Sequence, residues 1–361
     1  MDGTTDVAAE RTGKITPAQF GTWIAPHLGA ARPEVLLGPR AGTDCGIVRI
    51  GAGRVLAMTS DPISLIPGLG PERSAWLSCH LLASDLWTCG IPPSYAAVSF
   101  ALPPSLSDDL FAAYARAMSE AWTALEIAVV TGHTGRYEGC DLTIVGAATL
   151  TGVGDEGRWI GAPFVEAGDR VLLTKGCAIE ATALTAHLFP KRLAQRLNDE
   201  EALERAQLRI DDVSVVRDCK AALRTGVRER GVTLLHDATE GGVFGGLLEV
   251  ARATGHDLRI QHDKIPVAAE TRAVCELLGV DPYWTLSEGT LIATVKPEHV
   301  AAAMESFALD GIAAAEIGEV VRGSGHLWVT EDDQRTVTRI EAPLPDPWWE
   351  AYSRAVSEGW S

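Results

Sequence analysis

The sequence predicts a mixed α/β fold (α+β in the sense of segregated layers) in two domains, and three observations carry that expectation. Short apolar runs alternate with longer amphipathic segments along nearly the whole chain. A glycine- and acid-rich stretch, Gly152–Gly168, interrupts the alternation and reads as a linker. The 361 residues exceed what one hydrophobic core usually serves, and a hydrophobic content of 46% supplies enough material for two. The expected divisions are an arm with a short helix over residues 1–34, an N-terminal domain over 35–152, a C-terminal domain over 165–331 and a tail over 332–361.

Taken in order, Met1–Gly13 is polar and reads as disordered. Pro17–Ala25 is a short helix, with Thr16 as its cap and proline in its first position. Gly46–Ile50 and Arg54–Thr59 flank a Gly-Ala-Gly turn and read as a hairpin. Glu72–Cys89 reads as a helix, Tyr95–Leu102 as a strand. Ser107 caps an amphipathic helix whose first turn holds Asp108 and Asp109. Ile127–Thr131 reads as a buried strand, and Leu142–Leu150 as another. Beyond the linker come strand Arg170–Thr174, a helix through Leu188, a polar helical segment from Pro190 to Arg209, and an amphipathic helix over Val213–Arg228. Strand Val232–Leu235 then delivers His236 to Gly242 to the helix Val243–Ala253. The remainder alternates again: strands at Leu258–Gln261, Thr290–Val295, Ala315–Val321 and Leu327–Thr330, helices at Ala268–Leu278 and Glu298–Phe307. Pro347, Trp348, Trp349 and Tyr352 give the tail an aromatic face that packs on the fold or on a partner.

Composition excludes several classes. A net charge of −17 argues against nucleic acid and anionic membranes as partners. The seven cysteines form no C-x-x-C pair and no zinc spacing, as expected of reduced thiols used as small core residues. Met1–Gly13 is not a signal peptide and no apolar run approaches a membrane span, so a cytoplasmic protein is expected.

Three acids stand out. Asp44 precedes the first strand of the hairpin and Asp61 follows the second, so antiparallel pairing brings them to one rim. Asp85 follows Leu77 and Leu81 at helical spacing and so lies on an apolar stripe. Neighbouring carboxylates repel, and a buried one is costly, unless a cation is shared. Mg²⁺ suits such hard oxygen donors. The structural alternative is a glycine turn at Asp44, a turn initiator at Asp61-Pro62 and a helix-end carboxylate at Asp85. A second stretch, Asp237-Ala238-Thr239-Glu240-Gly241-Gly242, follows a strand and opens a helix, which offers backbone N–H groups to an anion. Its alternative is a tight turn with glycines used for packing. Gly132-His133-Thr134 at a strand end is most simply a hydrogen-bonded loop. Lys175 and Arg40 are each able to meet a phosphate. Cys79 and His80 diverge on a helix and make a poor nucleophile–base pair. No Gly-x-Ser-x-Gly elbow is present.

The ordered stretches GPRAGTDCGIV, VLAMTSDP, HLLASDLWTCGIPP, VVTGHTG, HDATEGGVFGGLLEVA and IPVAAETRAVCELLGVDPYWTLSEGTLIA resemble the AIR synthase (PurM-like) superfamily. Within it they look most like the HypE-like, AIR synthase-related proteins of hydrogenase maturation. The resemblance spans roughly Val35 to Thr330. It implies a PurM-like two-domain architecture, with an N-terminal domain that forms a homodimer through its sheet and a C-terminal α/β domain. It also implies Mg-ATP in a cleft, with Asp44, Asp61 and Asp85 matching the family's Mg²⁺ and phosphate ligands. Gly132, Thr134, Thr239, Gly241 and Gly242 would face the nucleotide, Lys14 would fold over it, and Asp237 and His133 would carry catalytic roles.

Three departures shape the expected chemistry. His133 stands where the HypE pattern has an aspartate, and Glu240 where it has an arginine. The sequence closes Glu358-Gly359-Trp360-Ser361 and its last cysteine is Cys275, whereas the HypE pattern ends in a cysteine that receives a carbamoyl group. Cyanide-forming chemistry is therefore not expected. Two readings follow: an ATP-dependent enzyme that phosphorylates an amide or acyl oxygen, with a kinase as a variant, or a non-catalytic ATP-binding partner of another maturation factor.

Overall fold

The computed structural model describes residues 12–331 and 335–361. The disorder expected of Met1–Gly13 falls, up to residue 11, outside the described residues. The chain separates into two compact units. One comprises Arg32–Pro39 and Asp44–Trp159; the other holds the segment before Arg32, Arg40–Thr43 and Ile160–Ser361. No helix among the described residues is long and apolar enough to cross a membrane.

The first unit is a sheet with helices packed on it. Its strands are β1 (Val35–Leu37), β2 (Gly46–Gly51), β3 (Arg54–Ser64), β4 (Tyr95–Leu102), β5 (Ala128–Arg136) and β6 (Ile144–Asp155), in the order β1-β2-β3-β6-β4-β5. All neighbours are antiparallel except β4 and β5. The helix joining that parallel pair is Asp108–Ala124, and Ser107 caps it through the Leu110 N–H. It packs on the helix Gly70–Thr88, which lies on β3 and β6. Ser78 links the layers: its Oγ accepts from the Ser64 N–H at 2.9 Å and meets the Tyr114 hydroxyl at 3.2 Å.

Three expectations are corrected here. β3 does not stop at Thr59 but runs through Asp61-Pro62. Pairing with β2 ends at Met58, so beyond it β3 has a ladder only to β6, where proline is tolerated. The supposed linker begins as strand: β6 reaches Asp155, and Gly152 is glycine because a Cβ would lie 2.2 Å from the Pro92 carbonyl oxygen. β5 is exposed rather than buried, with Val129 53% and Val130 62% exposed, because it is the last strand of its sheet.

The second unit begins with a helix over Pro17–Trp23 (α1; the helices at Gly70–Thr88 and Asp108–Ala124 are α2 and α3), in which Thr16 and Gln19 form a capping box. Its sheet runs β13-β12-β9-β11-β7-β10-β8, built from β7 (Arg170–Thr174), β8 (Val232–Ala238), β9 (Asp257–Gln261), β10 (Thr290–Val295), β11 (Ala314–Val321), β12 (Leu327–Thr330) and β13 (Val337–Ile340). The helices are α4 (Ile179–Leu188), α5 (Pro190–Leu197), α6 (Glu200–Leu208), α7 (Val216–Leu223), α8 (Gly242–Thr254), α9 (Ala269–Leu278), α10 (Val300–Leu309) and α11 (Pro347–Ser357). The polar segment expected as one helix is α5 and α6, broken at Asn198, whose backbone is left-handed. The helix expected over Val213–Arg228 is shorter, α7. The aromatic tail docks on its own unit: Trp360 packs edge-on against Phe189, and the Arg192 N–H donates to the Ser361 carbonyl at 2.9 Å.

Candidate functional site

The hairpin register brings Asp44 beside Thr59, but the carboxylate oxygens of Asp44, Asp61 and Asp85 do not all lie within 4.8 Å of one another. Gly46 pairs with Met58, so the chain before β2 runs beside Thr59 to Asp61. Burial alternates along β3, with Val55, Ala57, Thr59 and Ile63 buried and Asp61 half-buried, which places Thr59 and Asp61 on the face that α2 covers. The Thr59 hydroxyl lies 2.9 Å from the Asp44 carbonyl oxygen and 3.1 Å from Asp85 Oδ2. A single hydroxyl thus joins the start of the hairpin to the end of α2, with Asp61 two residues further along the same strand face. A hydrogen bond with the Cys89 thiol, followed by burial, pushes the buried Cys45 thiol well up, and the charges of Asp44 and Asp85 add to that. Asp44, Asp61 and Asp85 are all half-exposed, and at their spacing an ion would have to keep water between itself and at least one of them, as Mg²⁺ commonly does. Thr59 is the residue that patterning missed; its position two before Asp61 on an alternating strand was the available signal.

Gly132, His133 and Thr134 lie elsewhere in the same unit. The registers align Asp61, Ala148, Val98 and Gly132 in one row across β3, β6, β4 and β5. Three strand spacings amount to about 14 Å, so His133 does not join the acids around one ion. Gly132 is required for packing, since a Cβ would lie 2.1 Å from the Val98 carbonyl oxygen. His133 Nε2 meets the Tyr137 hydroxyl at 2.7 Å.

In the second unit, β8 carries His236 and Asp237, which are 4% and 1% exposed, to the turn before α8. His236 Nε2 lies 3.1 Å from Glu249 Oε2. Burial works to raise the Glu249 carboxyl, but His236, with Lys14 and Arg252 adding, holds the group below its ordinary range. Gly241 and Gly242 both have positive φ, and a Cβ on Gly242 would lie 2.5 Å from the Tyr283 carbonyl oxygen. Gly242→Ala is therefore expected to cost roughly 1–3 kcal/mol. Gly255→Ala serves as control, since that glycine has positive φ but no atom within 4 Å of a Cβ. Urea unfolding midpoints of the two variants isolate the close approach.

The turn is not the open anion cradle the sequence suggested. The Gly241 N–H donates to Asp346 Oδ2 at 2.8 Å, the Gly242 N–H to the Thr239 carbonyl, and the Phe244 N–H to the Tyr283 carbonyl. Lys14 lies on the same turn, its N–H donating to Glu240 Oε2 at 2.7 Å and its Nζ to the Thr239 hydroxyl at 2.5 Å. Burial pushes the Asp346 carboxyl up to about 6, against the Trp348 and Gly241 N–H groups that hold it down. Burial likewise pushes Glu180, on α4, up to about 8, with Glu240 and Asp346 adding to the rise and Lys14 opposing it. Glu180 was legible as an isolated acid in an apolar run; Asp346 carried no such signal.

Lys175 is committed internally, its Nζ donating to the Asp212 and Ser214 carbonyls and pairing with Asp218 Oδ2 at 3.0 Å. Arg40 Nε donates to the Thr43 hydroxyl at 3.3 Å. Cys79 is buried, and His80 stacks on Trp76.

Two α/β units in this order, each with its own sheet, match the model of the AIR synthase related protein family. Its N-terminal domain aligns with residues 42–153 and its C-terminal domain with residues 166–329. The chain belongs to that family. It is similar to carbamoyl dehydratase HypE of Escherichia coli, at 33% identity over 76% of this chain and 79% of the relative. It is also similar to carbamoyl dehydratase HypE of Bradyrhizobium diazoefficiens, at 30% identity over 79% and 80%. Among solved structures, hydrogenase maturation protein HypE in complex with ATP shares the fold, with a TM-score of 0.64 at 22% identity over 93% of this chain and 94% of that one.

Proposed function

We propose that this protein binds Mg-ATP at Asp44, Asp61 and Asp85 and transfers the terminal phosphoryl group to an amide or acyl oxygen of a small substrate. The carrying observation is the Thr59 hydroxyl, which ties the Asp44 backbone to the Asp85 carboxylate beside Asp61. Magnesium, when bound, neutralises phosphate charge and orients the transferred group. The bond from the γ-phosphorus to the ADP oxygen breaks, one to the acceptor oxygen forms, and that oxygen becomes a leaving group. Asp237 and His133 are the catalytic candidates within this reading. A relative solved with ATP supports the nucleotide. Self-association belongs to the same reading, with a second copy covering the exposed Val129 and Val130 of β5.

A second reading, a non-catalytic ATP-binding partner in a maturation assembly, is favoured by one feature: Asp346 and Lys14 already fill the glycine turn. Calorimetry with ATP separates the outcomes. Saturable binding that is lost in EDTA, with ADP released in the presence of an acceptor, is expected of the enzyme. Binding without turnover on any amide or acyl acceptor favours the partner, and absence of binding with magnesium present defeats both.

A further inference from the structure

Two carboxylates meet at the Thr239–Gly241 turn: Glu240 is part of it, and Asp346, which precedes α11, accepts from the Gly241 N–H. Glu180 sits in the first turn of α4, which is tied to the same place, since the Ala181 N–H donates to the Leu286 carbonyl, the Ala178 N–H to the Ser287 hydroxyl and the Ser287 N–H to the Thr239 carbonyl. Asp346 spends both oxygens on backbone, accepting from Gly241 and Trp348 N–H groups at 2.8 and 2.9 Å. Glu180 is only 9% exposed, and its Oε2 has no hydrogen-bond partner among the described residues. The Trp349 Nε1–H is also buried without a partner. That indole nitrogen lies 3.0 Å, and Glu240 Oε2 2.4 Å, from where a Cβ on Gly13 would stand, so Gly13 lies directly against Glu240 and Trp349.

Such an excess of negative charge needs a cation or protons. Lys14 provides one ammonium, from an exposed segment, held here by its backbone bond to Glu240 and its side-chain bond to Thr239. An anion would meet three carboxylates and a Gly241 N–H already taken. A ligand ammonium would find what Lys14 finds, and in addition the unbonded Glu180 oxygen, which it would hold as a carboxylate by displacing the Glu180 proton to solvent.

We propose that the cluster of Glu180, Glu240, Asp346 and Thr239 binds the ammonium group of a small molecule, and that Lys14 holds its place there as an internal substitute until that ligand arrives. Calling the ligand the phosphoryl acceptor rests on the phosphoryl-transfer reading; its binding does not.

The test is chemical replacement of the missing side chain in the full-length protein. Lys14→Ala removes a propylammonium group, so propylammonium chloride is titrated into wild type and variant, with n-propanol as the neutral counterpart and KCl and MgCl₂ as inorganic cations. The variant is expected to bind propylammonium saturably, at least tenfold more tightly than wild type, and to regain the melting temperature lost on substitution. Adding Glu180→Gln to that variant should weaken binding at least tenfold; Glu240→Gln is the second choice should the first fail to fold. Equal responses to propylammonium and n-propanol, or to propylammonium and the inorganic cations, would overturn the proposal. So would unchanged affinity in the glutamine variants. No nucleotide is present, so failure here leaves Mg-ATP binding untouched, and failure to bind Mg-ATP leaves this result standing.

Discussion

Asp61→Ala is expected to reduce Mg-ATP affinity by about 100-fold, or about 2.7 kcal/mol, while leaving the fold intact. Asp61 is half-buried on β3, whose ladder to β6 is made by backbone groups that the substitution does not touch. In the absence of metal the variant should be as stable as wild type or slightly more so, because one of several neighbouring carboxylates is gone. Calorimetry with Mg-ATP and a melting curve without ligand read the two effects separately. An affinity within threefold of wild type would remove the acidic rim from the nucleotide site.

The second large effect concerns pH. Glu180 is pushed up to about 8 from 4.5 by burial, with Glu240 and Asp346 adding and Lys14 opposing. A folded carboxyl raised above its unfolded value contributes stability that is fully present below about pH 4.5. It is lost as pH rises through about 8, since the unfolded chain gives up the proton first. At about 1.4 kcal/mol for each tenfold in proton affinity, the loss across this window is several kcal/mol. Glu180→Gln removes the titration, so its unfolding free energy should fall less steeply between pH 5 and 8 than that of wild type, and the variant should gain on wild type toward pH 8. Parallel pH profiles for the two proteins would show that Glu180 is not the group responsible.

Much of the architecture was legible because it is local. Caps at Thr16 and Ser107, strand alternation from Arg54 onward and the helix bearing Asp85 all depend on residues a few positions apart. The exposure of β5 was not legible. An apolar run reads the same whether its strand is central or last in the sheet, and strand order depends on distant pairing. The linker was misread for a related reason: glycine marks close approach as readily as freedom, and at Gly152 the partner is the Pro92 carbonyl on another segment.

By itself, then, the sequence determined two α/β units, the elements within them and a shortlist of acids at strand and helix ends, since periodicity and caps act over single turns. Tertiary structure alone decided that a threonine hydroxyl unites Asp44 with Asp85, that Lys175 points inward, and that the glycine turn is already filled. The partners filling it, Lys14 and Asp346, lie 225 residues from Thr239 and 105 from Gly241 respectively. Contacts across such separations follow from how the unit closes on itself, and no local pattern of residues encodes them.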